Sequence, residues 1–462
     1  MSGSVTDVPL MDGAPDPVRA FALASGLREN GRLDAATTVM MALGSRHPAD
    51  PDITFDCAQF IRQCGRHEQA ATLCKQQLRI GSASPRLLAL AGNLAQELGR
   101  FEEARGHYMA ALRAGVNLNQ WFVLQSLANT QRYVDANHAD FALFEANLRH
   151  PALTPRARAS ILFALGKACD DVGDRARAVK LLREANSLAR RTVTWSGDAW
   201  AQFVAMQLRR PIAAPSPDIE GNGIPVFVVG MVRSGTTLVA DRLGRDSAVC
   251  NRGELPFIGY LAEQLIKQGC AGDPAALAEA RKIYLAHLQQ DDAPAGWYVD
   301  KHPLNFRYLG QIAALFPQAR VIHCRRNQRD NALSIWSQLF AHPDNDYAYD
   351  FDDIAAFGEG RDRLMEHWKH RLALPIHTID YEQMVEQPAR TLDGARAFLG
   401  LPVQAPSTQG EVADARDRSG YPIASASMWQ ARQPVYQSSV ARWKSYAALV
   451  PELASKFADA DG

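Results

Sequence analysis

Along the 462 residues the spacing of apolar and polar positions changes character once. From about residue 16 to about residue 210 it keeps the period of amphipathic helices. Between Leu208 and Pro225 the string LRRPIAAPSPDIEGNGIP carries four prolines and two glycines, and the period stops, which marks a linker. From Ile224 onward short apolar runs alternate with helical stretches: VFVVG at 226–230, WYVD at 297–300, RVIHC at 320–324 and LPIHTID at 374–380. Such alternation predicts a three-layer α/β domain around a parallel sheet. The expected division is a flexible N-terminus at 1–15, a helical domain at 16–210, a linker at 211–223 and an α/β domain at 224–462.

The helical half repeats. The string Gly-Arg/Asp-x-x-x-Ala occurs at Gly31 with Ala36, Gly65 with Ala70, Gly99 with Ala104 and Gly173 with Ala178, the first three 34 residues apart. An irregular unit fits between Trp121 and His150. A glycine that ends one helix and an alanine that lets the next pack closely make a helical hairpin, and hairpins need neighbours to cover their apolar faces. The period is that of tetratricopeptide repeats, so residues 16–210 resemble a solenoid of that kind, with a concave surface for a peptide or partner protein. A helical domain that only packs is the competing reading.

Ile224 to Leu243, IPVFVVGMVRSGTTLVADRL, is the stretch that organises the α/β half. Val226 to Val229 read as a strand buried on both faces, and Ser234 to Thr237 precede the helical pattern Leu238, Val239, Leu243. The loop's N–H groups and the helix N-terminus then converge where an anion would sit. Gly230 and Gly235 have the spacing of a phosphate-cradling loop, but Thr236-Thr237 stands where a nucleotide triphosphatase has Lys-Ser/Thr, and the cation is Arg233. That replacement argues against Mg²⁺-ATP chemistry in a kinase or nucleotidase.

Composition narrows the class further. Apolar residues at 47%, charged residues at 22% and eight Trp allow two large cores, and a formal charge of zero gives no support to nucleic-acid binding. Seven scattered cysteines without a C-x-x-C pair read as reduced thiols. The start, MSGSVTDVPLMDG, lacks a basic and apolar leader, and no stretch is apolar enough to span a bilayer, so a cytoplasmic protein without membrane insertion is expected.

Further stretches carry candidate chemistry. Glu254, in NRGELP at 251–256, is expected at the carboxyl edge of the sheet, near the anion. Asp300-Lys301-His302-Pro303 follows a strand, so Lys301 can reach the same edge; Asp300 alone would suit a metal site, and a surface ion pair is the bland alternative. Arg325 and Arg326 leave a strand and Ser334 lies one to two helical turns beyond, an arrangement suited to gripping a phosphate. Near the C-terminus, SASMWQARQPVY at 425–436 and then Arg442-Trp443 read as a binding loop or lid.

Together, RSGTTL at 233–238, RGE at 252–254, DKHP at 300–303, RRNQRDNALS at 325–334, DYEQMVEQP at 380–388 and SMWQARQPVY…RW at 427–443 resemble the sulfotransferase family, in the family's order and over about residues 224–445. The resemblance is strongest to the tyrosylprotein branch, whose base is a Glu in an Arg-x-Gly-Glu string. It implies 3′-phosphoadenosine-5′-phosphosulfate (PAPS) as donor, PAP as product and no metal. The implied acceptor is a hydroxyl, expected to be a tyrosine or other phenol on a peptide or protein presented by the repeat domain. A small-molecule, carbohydrate or lipid hydroxyl is the alternative, and a nucleotide-binding scaffold without catalysis the alternative of another class.

Position by position, the resemblance implies that Arg233, Ser234, Gly235, Thr236 and Thr237 hold the 5′-phosphosulfate and that Arg326 and Ser334 hold the 3′-phosphate. It implies further nucleotide contacts from Tyr381, Ser427, Gln430, Arg432 and Arg442. Glu254 is the implied general base, with Lys301, Ser427 and Arg233 stabilising the transition state. The Arg-x-Gly-Glu string lacks its spacer here, so Arg252 is not carried over, and Gln338 stands where the tyrosyl branch has another Arg. No nucleic-acid partner is expected, and a homodimer is left open.

Overall fold

The computed structural model describes residues 16–81, 84–215, 223–292, 294–402 and 437–458. Its two compact units are Met1–Asn117 with Leu285–Ala293, and Leu118–Tyr284 with Pro294–Gly462.

The first unit is built of three helical hairpins: α1 (Pro17–Glu29) with α2 (Leu33–Arg46), α3 (Pro51–Gln63) with α4 (His67–Arg79), and α5 (Pro85–Glu97) with α6 (Phe101–Arg113). Each hairpin begins on a proline, where the missing N–H costs nothing, and Asp16 and Asp50 cap two of these starts through their side chains. The turns follow one rule. At Gly31 the chain enters the left-handed region (φ 71°), the Gly31 N–H donates to Arg28 O at 3.0 Å and the Arg32 N–H to Leu27 O at 3.0 Å, which satisfies the last carbonyls of α1. Gly65 and Gly99 repeat this geometry at φ 76° and 77°. Ala36, Ala70 and Ala104 are each fully buried where the second helix meets the first. Successive hairpins are also tied by a recurring rung: Arg66 Nε to Asp34 at 2.5 Å and Arg100 Nη2 to Glu68 at 2.6 Å.

The second unit starts with α7 (Val123–Ala128), α8 (Ala139–Leu148), α9 (Pro155–Asp171), α10 (Arg175–Arg190) and α11 (Gly197–Arg209). A five-stranded sheet follows, made of β1 (Ile224–Gly230), β2 (Val249–Asn251), β3 (Trp297–Asp300), β4 (Arg320–Arg325) and β5 (Ile376–Asp380). Every pairing is parallel and the order is β2-β3-β1-β4-β5, so β1 is central. The remaining α-helices among the described residues are α12 (Thr236–Leu243), α13 (Phe257–Lys267), α14 (Pro274–Gln289), α15 (Leu309–Leu315), α16 (Gln328–Trp336), α17 (Phe351–Arg371), α18 (Tyr381–Glu386), α19 (Pro388–Phe398) and α20 (Glu452–Lys456).

Alternation along β1 explains the layers. Val226 and Val228 pack with Val239, Leu243 and Leu399 on one face, while the Phe227 ring lies 5.9 Å from Tyr284 and 6.2 Å from Phe316. Helices α9 to α11 are part of this packing. Trp200 of α11 stacks on Phe357 of α17 at 4.5 Å and donates its indole N–H to Ala356 O at 3.1 Å. Gly360 makes room for that indole, since a Cβ there would sit 2.3 Å from Trp200 Nε1. Asn186 of α10 donates to Trp336 O at 2.9 Å. No disulfide joins any of the seven cysteines, five of which are buried, and no helix among the described residues is long and apolar enough to cross a membrane.

Candidate active site

In a parallel sheet the loops leaving the carboxyl ends of the strands share one edge, and the crevice there is where ligands bind. The predicted anion loop occupies the centre of that edge. Gly230 must be glycine, because a Cβ would stand 2.4 Å from Cys324 O and 2.8 Å from Ser234 Oγ. Gly235, at φ 95°, is the N-cap of α12, and a Cβ there would lie 2.7 Å from the Tyr381 ring. Arg233 also has positive φ, 68°, which a non-glycine residue adopts only under constraint. The constraint is visible: Arg233 Nε donates to Ser334 Oγ at 3.1 Å, and its carbonyl accepts from Arg326 Nη1 at 3.0 Å. Asn331 Nδ2 holds the preceding carbonyl, Val232 O, at 2.9 Å. The Ser234 hydroxyl braces the loop from inside by donating to Met231 O at 2.7 Å. Thr236 is buried in the first turn of α12, and Thr237, half-buried, follows it.

The structure thus brings Arg233, Ser334, Arg326 and Tyr381 into one cluster, from the ends of β1, β4 and β5. The Arg326 guanidinium lies over the Tyr381 ring at 4.5 Å, and its Nη2 donates to Ser439 O at 2.8 Å. Its Nε is buried without a partner among the described residues. An Arg pinned at both terminal nitrogens, with one buried donor unused, is preorganised for an acceptor group arriving in the crevice.

A second cluster forms on the other side of β1. The ladder between β2 and β3 continues past both strands: Arg252 N–H donates to Val299 O and Lys301 N–H to Gly253 O, each at 2.8 Å. This register sets Glu254 beside Lys301, and their side chains form an ion pair. Lys301 is buried, whereas the Glu254 side chain is 39% exposed and faces the opening. Adjacent strands are about 4.8 Å apart, so β2 and β3 place this pair about 5–10 Å from the anion loop.

Asp300 lies directly beneath. It is fully buried and accepts from Leu255 N–H at 3.3 Å, Tyr284 OH at 2.9 Å and Asn305 Nδ2 at 3.1 Å. Burial, and then the nearby Glu254 charge, push its carboxyl up to about 7, against the three donors. Burial likewise lowers the His302 imidazole to about 4.

Other candidates stand elsewhere. Arg442 forms an ion pair with Asp170 of α9, and Tyr446 bonds the same carboxylate. Arg252 lies over the Tyr298 ring at 5.2 Å, and Gln338 sits half-buried just past α16. Ser427, Gln430 and Arg432 lie outside the described residues. Sequence reasoning gave no role to Asn331, to Asp330, whose Oδ1 accepts from Trp443 N–H at 2.8 Å, or to Asp300 as a brace. Asn331 and Asp330 fall inside the motif RRNQRDNALS, so a register argument on α16 was the signal to follow.

A protein of Aquifex aeolicus (strain VF5), described as an uncharacterized protein, is 31% identical over 335 residues, which cover 67% of this chain and 43% of that protein. The chain therefore spans less than half of that relative's length. Among solved structures, the sulfotransferase domain of the Synechococcus PCC 7002 olefin synthase aligns with 52% of this chain and 95% of its own, at 18% identity and a TM-score of 0.36. The sulfotransferase domain from the curacin biosynthetic pathway aligns with 51% and 99%, at 17% identity and a TM-score of 0.32. Residues 225–405, which contain the anion loop, the Glu254–Lys301 pair and the Arg326 cluster, match the model described as the sulfotransferase family.

Proposed function

We propose that the chain moves a sulfuryl group from PAPS to an acceptor hydroxyl, with Glu254 as general base. The observation that carries the proposal is the Glu254–Lys301 ion pair at the strand edge beside a phosphate loop whose cation is an arginine held by Ser334. The residues fit an adenosine bisphosphate with two separated anionic groups. Arg233, Gly235, Thr236 and Thr237 would face the 5′ group at the N-terminus of α12. Arg326, with its unused Nε, and Ser334 would face the 3′-phosphate, and Tyr381 closes the side of the loop.

Bound there, the donor supplies a sulfuryl group on a mixed anhydride. The protein's part is positioning and charge. Glu254, open to the crevice, takes the proton of the attacking hydroxyl. Lys301, Arg233 and the loop N–H groups oppose the negative charge that builds on the leaving phosphate oxygen, each such donor contributing about 3 kcal/mol. Because Lys301 holds Glu254 in the resting pair, the same ammonium must turn from the carboxylate to the leaving oxygen as the base comes into use.

The acceptor we favour is a phenol, a tyrosine on a peptide or protein, with the tetratricopeptide-like array selecting it, and Ser427, Gln430 and Arg432 are proposed nucleotide contacts. Glu254→Gln tests the central role. Turnover should fall about 10²-fold or more while PAP affinity stays unchanged. Unchanged turnover would remove Glu254 as base.

A further inference from the structure

A second concavity lies at the opposite edge of the sheet. Helices α13 and α15 leave the carboxyl edge and run back, so Ile266 and Ala314 near their ends lie at the amino edge; Trp368 is near the end of α17, which feeds the start of β5. These residues line a cavity of about 280 Å³ together with the last turn of α11 and the segment after it. None of the anion-loop residues, Glu254, Lys301 or Arg326 belongs to it.

Its walls are mostly carbon, from Ile212, Ile266 and the Trp368 ring, yet three polar side chains on them carry buried atoms with no partner among the described residues. Gln207 is fully buried with neither amide atom bonded, Gln311 is 5% exposed with Oε1 unbonded, and Arg210 Nη1 is buried and unbonded. No carboxylate among the described residues pairs with Arg210, and burial holds its guanidinium below the usual range. Each such group costs about 1–3 kcal/mol if nothing meets it. Native interiors rarely leave four polar atoms on one wall without a use.

The geometry points to a binding site for a compact organic acid: a carboxylate on Arg210, a hydroxyl or amide between Gln207 and Gln311, and an apolar body against Ile266 and Trp368. The volume lies at the small end of ligand pockets and admits a molecule of roughly a dozen heavy atoms. This site is independent of sulfuryl transfer.

Hippurate is a suitable probe, because it carries a carboxylate, an amide and a phenyl ring but no hydroxyl that the proposed active site could use. Calorimetry on the full chain saturated with 3′,5′-adenosine bisphosphate should show saturable hippurate binding, with neutral hippuramide at least about tenfold weaker. Arg210→Met should bring the two ligands to equal affinity. Gln207→Leu should weaken hippurate about tenfold yet raise the Tm of the ligand-free protein, since an unmet amide is replaced by a carbon side chain. No saturable binding, displacement by the bisphosphate, an undiminished preference in Arg210→Met, or a lower Tm in Gln207→Leu would each overturn the assignment.

Discussion

The loop that carries Glu254, the proposed base, is braced by Asp300, which accepts the Leu255 N–H. The three donors to Asp300 come from the Glu254 loop, from α14 and from the turn after β3. Burial raises its folded pKa from an ordinary 3.8 to about 7, so its contribution to stability is full at low pH and is lost as pH rises from about 4 through about 7. His302 and His323, lowered to about 4 and about 3 chiefly by burial, work with the opposite sign and cost stability as pH falls below their ordinary range. Comparing variants isolates the carboxyl: the Tm of the wild type relative to Asp300→Asn should decline between about pH 4 and pH 7, and a difference that is flat with pH would show Asp300 ionised throughout. The motif strings carried Glu254, Lys301, Arg326 and Ser334 directly, because their residue types are what anion and proton chemistry demand. Asp300 had no role legible in the sequence: a metal-ligand reading is disfavoured by the adjacent Lys301. Its partners Leu255 and Tyr284 are 45 and 16 positions away, and nothing local in the sequence joins them.

At the scale of elements, punctuation decides. The 34-residue glycine spacing becomes three hairpins starting at Pro17, Pro51 and Pro85, since a left-handed residue must end each first helix. The two kinds of cost at such a turn can be separated. At Gly65 a Cβ would touch nothing within 4 Å, so Gly65→Ala should lower stability by about 1 kcal/mol, the backbone cost alone. At Gly31 a Cβ would stand 2.2 Å from Ala286 O, so Gly31→Ala should cost distinctly more in urea melts. Equal losses would mean that the turn relaxes away from Ala286. Strands β1, β3, β4 and β5 were readable as bounded apolar runs. The edge strand β2, only three residues long, was not, because a period cannot show in so short a segment.

On the scale of the whole molecule, the compact unit that holds the candidate site begins at Leu118 rather than at the proline-rich segment. The sequence marks a break at the prolines because helical periodicity stops there; it cannot mark that Asp170, Asn186 and Trp200 are spent on packing and bonding to residues after residue 330. Removing residues 1–210 exposes the ring stack at Phe357 and strands Arg442 without its carboxylate, so that truncation should aggregate. Removing residues 1–117 should leave a folded protein that still binds PAP, with a lower Tm from the bared end of α14; aggregation of both alike would contradict this division. The measurement that bears most directly on the central claim is calorimetric titration of the full chain with 3′,5′-adenosine bisphosphate, and with Mg²⁺-ATP beside it. The account predicts micromolar binding of the bisphosphate without metal and much weaker ATP, with Arg326→Ala losing far more affinity for the bisphosphate than for the 5′-monophosphate. Preference for Mg²⁺-ATP, or equal losses for both nucleotides, would contradict it.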